Sequence, residues 1–235
     1  MFRYLSQEAS VQDLTVSGTL SPQGSRTLVG GIAGQNAGTI QNCTFQGSIT
    51  GSDRVGGIAG SNTVTGMIVS CLSEGAIHGD HFIGGIAGQN TGVLRRCTNR
   101  SSVNVTPQQN SVELSDITLE NITNSESANT VTDVGGIAGS AKILSDCRAI
   151  VQLSATEKSG ALIGFAEDRA EITGNYYLTF EKDPGAIDGI SYDGLAQSLD
   201  QNNFLVQESL ALAFRSVQIR FLFADGSREI VTIAP

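Results

Sequence analysis

Short apolar segments separated by glycine dominate the first three quarters of the chain. They are rich in Ile, Val and Thr, and partly alternate between apolar and polar positions, as in Ile40 to Ile49. Such segments are typical of short β-strands, and no sustained 3.6-residue period indicates helices among them. The pattern therefore predicts an all-β structure made of many short strands.

A six-residue phrase recurs along this region. It reads Val-Gly-Gly-Ile-Ala-Gly from Val29, recurs from Val55, Ile83 and Val134, and has a degenerate copy from Ser159. The starts are 26, 28, 51 and 25 residues apart, so the third interval is one period plus an insertion. Fixed periods of about 20–50 residues are typical of solenoids and other repeat arrays. The glycines of the four clear copies are Gly30, Gly31, Gly34, Gly56, Gly57, Gly60, Gly84, Gly85, Gly88, Gly135, Gly136 and Gly139.

The second half of the unit repeats in the same frame. One position holds the four cysteines, and apolar residues stand three residues before and six residues after each of them. The cysteines are Cys43, Cys71, Cys97 and Cys147, and the preceding apolar residues are Ile40, Ile68, Leu94 and Leu144. An N-terminal half-copy carries Val11, Leu14, Gly18 and Leu20 in this frame. We expect the four preceding apolar residues to stack in successive coils, because one unit alone cannot bury its own apolar side chains.

These features predict an all-β fold, a parallel β-solenoid of about five to six coils. A unit of about 26 residues suits one coil with three sides at about 3.3 Å per residue, whereas a propeller blade needs about 40 residues. The glycines would supply bends with positive φ or places where two backbones approach closely. The solenoid would occupy residues 1–177, with an insertion at about 106–132 that is either a tolerated surface loop or a binding loop.

The pattern changes after about residue 177. We interpret residues 178–235 as a C-terminal cap or the start of a following domain. Residues 193–201 resemble a short helix with Asp193 as its N-cap. An alternating segment from Val217, an Asp225-Gly226 pair and a second apolar segment to Ile233 predict a β-hairpin.

Composition and charge exclude several classes of protein. Glycine makes up 28 of 235 residues, only 16% of residues are charged, and the formal net charge is −9. A negative chain has no general attraction to nucleic-acid phosphates or anionic membranes. No apolar run approaches the ~20 residues of a membrane helix. We therefore expect no nucleic-acid partner and no membrane insertion by this chain, which we expect to be monomeric.

The repeat resembles the GLUG motif. The resemblance is clearest over residues 29–51, 55–79 and 83–103, extends roughly from 11 to 177, and includes the Asn42-Cys43 pair. It implies a bacterial cell-surface or secreted protein, because this repeat is known from adhesin-like proteins and from the non-catalytic region of immunoglobulin-A-cleaving metallopeptidases. The family repeat carries no catalytic residue. The fourth copy departs from the pattern at Lys142 and Asp146.

The cysteines and asparagines of the repeat have a structural and a chemical interpretation. We favour buried free thiols, because Leu14 fills the cysteine position in the half-copy and free Cys behaves as a small apolar residue. Disulfides and a metal site are the alternatives, and the lack of a CxxC pair disfavours the metal. The asparagines at one repeat position would form an amide ladder, or else a polar ligand-binding row. These are Asn36, Asn62 and Asn90.

Other candidate chemistry is sparse. His78 and His81 flank a turn and lack the helical spacing of a zinc motif. Asp53, Asp80 and Asp133 precede successive phrases, and a carboxylate row there would suit Ca²⁺ or a glycan-cleaving pair. Arg54 and His81 interrupt that row.

We therefore predict no catalytic residue, no metal, no cofactor and no enzyme activity. The expected function is a stalk or adhesive surface that binds an extracellular protein or glycan. The alternative function is substrate positioning in a secreted metallopeptidase.

Overall fold

The computed structural model describes residues 2–23, 26–105, 130–151, 153–155, 157–179, 184–187, 196–200, 203–204, 217–222 and 228–233. Nearly all regular structure in these residues is β-strand, which confirms the all-β prediction. The strands, in chain order, are β1 (Phe2–Leu5), β2 (Ser10–Gln12), β3 (Thr15–Leu20), β4 (Thr27–Gly30), β5 (Ala33–Asn36), β6 (Thr39–Gln41), β7 (Thr44–Thr50), β8 (Asp53–Gly56), β9 (Ala59–Asn62), β10 (Met67–Val69), β11 (Leu72–His78), β12 (His81–Gly84), β13 (Ala87–Arg95), β14 (Thr98–Asn99), β15 (Ser102–Val103), β16 (Thr132–Gly135), β17 (Ala138–Ser145), β18 (Arg148–Val151), β19 (Ser159–Gly160), β20 (Ile163–Thr173), β21 (Asn175–Thr179), β22 (Ala196–Ser198), β23 (Val217–Leu222) and β24 (Arg228–Ile233).

The strands wind into a parallel β-solenoid with three sheets. The phrase begins in a five-stranded sheet of β4, β8, β12, β16 and β19. Each coil then crosses a second sheet, which includes β5, β9, β13, β17 and β20, and a third sheet, which includes β7, β11, β14, β18 and β21. Every pairing within these three sheets is parallel and joins equivalent residues of consecutive coils, such as Val29 with Val55. The described residues thus form five coils, preceded by the partial coil β1–β3.

The predicted apolar column is present. Ile68 pairs in register with both Ile40 and Leu94, and Leu94 pairs with Leu144. All four side chains are fully buried. The column continues to Val11 in the partial coil and to Ile172 in the fifth coil. This confirms the stacking that the equal spacing in the sequence predicts.

Two repeat positions adopt the left-handed conformation in every coil. One comes directly before the cysteine position, as in Asn42 (φ 52°), and the other lies two residues before the first glycine of the phrase, as in Leu28 (φ 56°) and Phe82 (φ 51°). The second position is skipped in the parallel pairing while the register stays the same on both sides of it, so every coil bends at the same place. The sequence analysis placed positive φ at glycines, whereas here mostly non-glycine residues make these bends.

The phrase glycines serve close approach between coils. A β-carbon added to Gly31 would overlap the carbonyl oxygen of Gly57 and the ring of Phe45. A β-carbon at Gly88 would overlap the backbone of Arg54, the left-handed residue of the preceding coil. Such overlaps with backbone cannot be relieved by a side-chain rotation, so the left-handed bend of one coil requires the glycine of the next.

The stack extends past residue 177, the predicted end of the solenoid. Ile187 bridges to Ile163, and β22 pairs in parallel with β21. The predicted helix over 193–201 is wrong at Ala196–Ser198, because the edge of β21 offers hydrogen-bond partners that a local helix would forgo. The chain divides into two compact units, Met1–Ser198 and Leu199–Pro235.

In the second unit β23 and β24 pair antiparallel, from Val217 opposite Ile233 to Leu222 opposite Arg228. Among the described residues, no helix is long and apolar enough to cross a membrane.

Replacing Gly31 by Val should destabilise the protein by about 3 kcal/mol or more, because the new side chain overlaps the Gly57 carbonyl and Phe45. Chemical denaturation measures the change. The matched control is Gln35→Val on the same coil, which is half-buried and should stay within about 0.5 kcal/mol of the unmodified protein. An equal, small effect of both variants would contradict the close approach.

Candidate functional site

The asparagines of the repeat form a continuous amide ladder. Asn36 Nδ2 donates to Asn62 Oδ1 at 2.8 Å, and Asn62 Nδ2 donates to Asn90 Oδ1 at 2.7 Å. Asn90 Nδ2 donates onward to the carbonyl oxygen of Ile143 at 3.0 Å. All three side chains are fully buried. Each amide is therefore satisfied by its neighbours in the stack and has little capacity left for a ligand.

The ladder also holds the chain at the bend between two strands. Asn36 accepts from the Gly38 backbone N–H and donates to the Gly38 carbonyl oxygen, both at 3.1 Å. Asn62 donates to the carbonyl oxygen of Gly66 at 3.1 Å. The side chain thus replaces the strand hydrogen bonds that the bend removes, as buried polar groups require.

The ends of the ladder are apolar. Leu5 pairs with Asn36 at one end, and Ala141 pairs with Asn90 at the other. The fourth copy therefore departs from the repeat at this position too. The amide ladder therefore covers the first three coils.

A second column contains the four cysteines. All are free, and none is more than 1% exposed. Each thiol donates to the carbonyl oxygen two residues earlier, for example Cys43 Sγ to Gln41 at 3.2 Å and Cys147 Sγ to Ser145 at 3.4 Å. Leu14 precedes the column in the partial coil, and Asn175 follows it in the fifth coil.

The surroundings keep the thiols of Cys43, Cys71 and Cys97 protonated. The pKa of Cys43 lies well above its ordinary value because of its contact with the Cys71 thiol and because of burial. For Cys71 the contact with Cys43 lowers the pKa, but the contact with Cys97 and burial outweigh it, and the pKa is raised. Burial, followed by the Cys147 thiol, raises the pKa of Cys97. Since the thiolate is the nucleophile and the metal ligand, these thiols are poor in both roles.

Asn175 takes over the cysteine position with a different set of bonds. Its Oδ1 accepts from the Cys147 backbone N–H at 2.9 Å, and its Nδ2 donates to the Leu144 carbonyl oxygen at 3.0 Å. The sequence analysis did not single out this residue. The sequence did carry a signal for it, because Asn175 follows Ile172 by the same number of residues by which Cys147 follows Leu144.

The sequence analysis also missed a second buried asparagine. Asn99 accepts from the Ser101 backbone N–H at 2.8 Å and donates to the Ser101 carbonyl oxygen at 3.2 Å. The Ser101 hydroxyl is 2.8 Å from the hydroxyl of Ser73 in the preceding coil. The arrangement matches Asn36 and Gly38, so an Asn two residues before a small residue was the available signal.

The proposed carboxylate row does not form. Asp53 pairs in register with His81, and His81 pairs with Thr132 in the next coil. Asp133 therefore lies one position further along its strand than the counterpart of Asp53. Asp53 and Asp133 instead contact Arg54 at 3.5 Å and Lys158 at 3.9 Å. The aspartates are out of line because Asp53, Asp80 and Asp133 stand two, three and one residues before their phrases. A Ca²⁺ row on Asp53, Asp80 and Asp133 is therefore wrong.

The two histidines lie apart from any ligand cluster. His78 ends β11 opposite Thr50, and His81 begins β12 between Asp53 and Thr132. In the part of the chain that the structure describes, no group of three or more His, Cys, Asp and Glu residues is placed to hold a metal ion.

Polar residues on the outer face of the third sheet bond to one another. Gln46 accepts from the Ser17 hydroxyl at 3.4 Å and donates to a carboxylate oxygen of Glu74 at 2.9 Å. Arg100 donates to the other Glu74 oxygen at 3.1 Å. This row, half-buried at Glu74 and Arg100, spans the partial coil and three full coils and adds cross-strand contacts of modest strength.

The site thus defines a class of protein, a glycine-rich repeat solenoid whose polar columns are structural. A family model described as the GLUG motif matches residues 25–50, so the chain carries this motif. The chain is 40% identical over 63 residues to halomucin of Haloquadratum walsbyi, a match that covers 27% of this chain and 1% of halomucin. No solved structure matches the chain.

Asn62→Ala should destabilise the protein by about 3 kcal/mol, because it removes the buried bonds that Asn62 makes to Asn36 Nδ2 and to Asn90 Oδ1. Asn90→Ala should cost less, since the ladder ends there against Ala141. Urea denaturation of both variants checks this order. Gln89→Ala, on the half-buried neighbour of Asn90, is the control and should be near neutral. The reverse order of the two Asn variants would contradict the ladder.

Thiol titration should find no fast-reacting group in the native protein and four under denaturant without reductant, because the four cysteines are free and buried. A count of zero thiols in denaturant would instead show disulfides.

Raised thiol pKa values also predict that the stability of the fold decreases as the pH rises above about 8.5, since unfolded thiols ionise there and the folded ones do not. Cys97→Ala should weaken that pH dependence.

Proposed function

We propose that this chain is a non-enzymatic repeat module of a cell-surface or secreted protein, which serves as a stalk or an adhesive surface. The observation that carries the proposal is the mutual satisfaction of the buried polar residues. The asparagines and thiols that resemble ligand groups hydrogen-bond within the stack. The chemistry of the repeat is thereby used to build a rigid scaffold, which suits presentation and spacing rather than turnover.

The comparisons support the same proposal. The GLUG motif at residues 25–50 fits a repeat module of a surface protein. The similarity to halomucin is local, and the chain spans about 1% of that protein, so the likeness is to a small module within a much larger polypeptide. The net charge of −9 suits an extracellular surface that must stay soluble. An origin in bacteria is what the resemblance of the repeat implies.

The second candidate is a substrate-positioning region of a secreted metallopeptidase. The resemblance of the repeat to the non-catalytic region of such peptidases favours it. The sequence of the complete gene distinguishes the two functions. A cell-wall or membrane anchor supports the adhesin, whereas a His-Glu-x-x-His helix elsewhere in the gene product supports the peptidase.

The absence of enzyme activity is part of the proposal and is tested on the chain itself. The purified chain should hydrolyse no member of a panel of polysaccharides and peptides with added Ca²⁺ or Zn²⁺. Asp53→Asn and Asp80→Asn are the informative variants. Reproducible hydrolysis that either substitution removes would overturn the proposal.

The insertion is the first region to test for binding. Most of it, residues 106–129, lies outside the described residues, but its two flanks are well defined. Asn104 bonds to both the N–H and the carbonyl oxygen of Gly79, at 2.8 and 3.0 Å. On the return, Thr132 N–H donates to the carbonyl oxygen of Asp80 at 3.0 Å. The insertion therefore leaves and re-enters the stack at one corner of the preceding coil.

Replacing residues 106–129 by a Gly/Ser segment of equal length should abolish binding to the ligand found on a glycan and host-protein array. It should leave the far-UV circular dichroism and the denaturation midpoint unchanged, because both flanks are anchored to the same coil. Asn104→Ala is the control that disturbs the flank and keeps the insertion. Binding that survives the replacement would place the adhesive surface on the coils.

A further inference from the structure

The outer face of the second sheet carries a column of apolar side chains. Met67, Val93 and Ile143 occupy one position in three consecutive coils and pair in register. The next residue of each strand belongs to the fully buried apolar column, so these three side chains point away from the core. Met67 is 43% exposed, Val93 and Ile143 are half-buried, and Val64 in the turn before β10 is 77% exposed.

The repeat itself does not require apolar residues at this outward position. The first coil has Thr39 there, in register with Met67, and the fifth coil has Glu171, in register with Ile143. Single exposed apolar residues are common, but a contiguous group of them marks an interaction surface. The four residues of this group are here called the lateral patch: Val64, Met67, Val93 and Ile143.

Positively charged side chains border the lateral patch. Arg95, Arg96 and Lys142 are all exposed, and none of them forms an ion pair within the described residues. Two acidic residues, Asp146 and Glu171, also lie at the margin. The border therefore has more positive than negative groups, on a chain whose net charge is −9. Its cations are available to the carboxylates of a partner.

The insertion of this chain has the complementary chemistry. Residues 106–129 include four acidic residues and no Lys or Arg. The acidic residues are Glu113, Asp116, Glu120 and Glu126, and the apolar residues among them are Val112, Leu114, Ile117, Leu119 and Ile122. Apolar contact would supply affinity and the opposite charges would supply specificity.

The lengths of chain favour contact with another copy. The insertion follows Asn104, and Val93 lies eleven residues earlier on the same coil, beyond the corner at Cys97. That is about 35 Å of surface at 3.3 Å per residue. Eight residues lead from Asn104 to Val112, and they span at most about 28 Å. The first apolar residue of the insertion thus falls short of the patch on its own chain, whereas a second copy has no such limit.

We propose that the lateral patch is an interaction surface for the insertion of a second copy of this chain. The proposal rests on the proposed function, because it names a partner for the adhesive surface. Apolar residues of 112–122 cover Met67, Val93 and Ile143, and their carboxylates pair with the bordering cations. Patch and insertion are different surfaces, so the contact is heterologous and can continue from copy to copy. The patch is small, so the contact is weak and the dilute chain is monomeric.

Sedimentation velocity of the full chain, from micromolar to millimolar concentration, tests the contact. The average mass should rise with concentration. Val93→Glu should weaken this association by about tenfold or more, because it places a carboxylate where the acidic insertion docks. Gln89→Glu on the same strand is the matched control, which changes the net charge equally and should associate like the unmodified chain. Circular dichroism verifies the fold of both, and Lys142→Glu, at an exposed position, is the second variant that should weaken association.

A labelled peptide with the sequence of residues 110–123 tests the occupant. Its fluorescence anisotropy should rise on addition of the dilute full chain, and less so with the Val93→Glu chain. A control peptide with Ile117→Ser and Leu119→Ser should bind about tenfold more weakly or not at all.

Each other outcome would overturn the proposal. Association that persists in the chain with the Gly/Ser replacement of residues 106–129 excludes the insertion as the occupant. Equal effects of Val93→Glu and Gln89→Glu attribute the association to net charge and not to the patch. A mass that stays constant with concentration excludes a second copy, even where the peptide binds. Binding to a glycan or host-protein array is measured separately, so the proposed function can hold where this contact fails.

Discussion

Consecutive coils approach so closely at the second glycine of the four clear phrases that no β-carbon fits between them. The Gly57 carbonyl oxygen occupies the space where a side chain on Gly31 would lie, and the Gly85 carbonyl does the same for Gly57. Sliding one coil by a residue in one direction would bring the following Ile against that carbonyl, and a slip in either direction would turn the core residues outward. This steric constraint fixes the register, and the fixed register places each residue directly on its counterpart in the next coil.

Stacking of like on like decides which polar residues the core can contain. An amide side chain is both donor and acceptor, so identical amides above one another satisfy each other, as Asn36 and Asn62 do. A thiol is small and gives its proton to a carbonyl of its own coil, so Cys43 and its counterparts can stack in contact with one another. A charged residue in the same place would meet its own charge in every coil. The amide and thiol columns follow this rule, whereas one column of the third sheet places Phe45, Ser73, Asn99 and Ala149 in register and mixes residue types.

The sequence predicts what depends on equal spacing and misses what depends on backbone conformation. The column through Ile40 and Ile68 follows from the period alone, because register and spacing are the same quantity in a solenoid. The left-handed bend at Leu28 and Phe82 has no compositional signal, since bulky residues rarely adopt it. The aspartates before the phrase fail to align because they stand at unequal distances from it, which the sequence itself shows. Likewise, the local pattern near Ala196 favoured a helix until the edge of β21 offered a strand partner.

Hydrogen bonds at one corner of the stack explain how the chain accepts a large insertion between the third and fourth coils. Asn104 and Thr132 both bond to the preceding corner at Gly79 and Asp80, so the corner itself closes the loop. β12 then pairs with β16 in the register that it shares with β8, as if the insertion were absent. The cost of closing a longer loop rises only slowly with its length, by about 0.6 kcal/mol for each doubling. Coil register and insertion length are therefore almost independent, which lets a rigid repeat carry a variable surface without a change in its core.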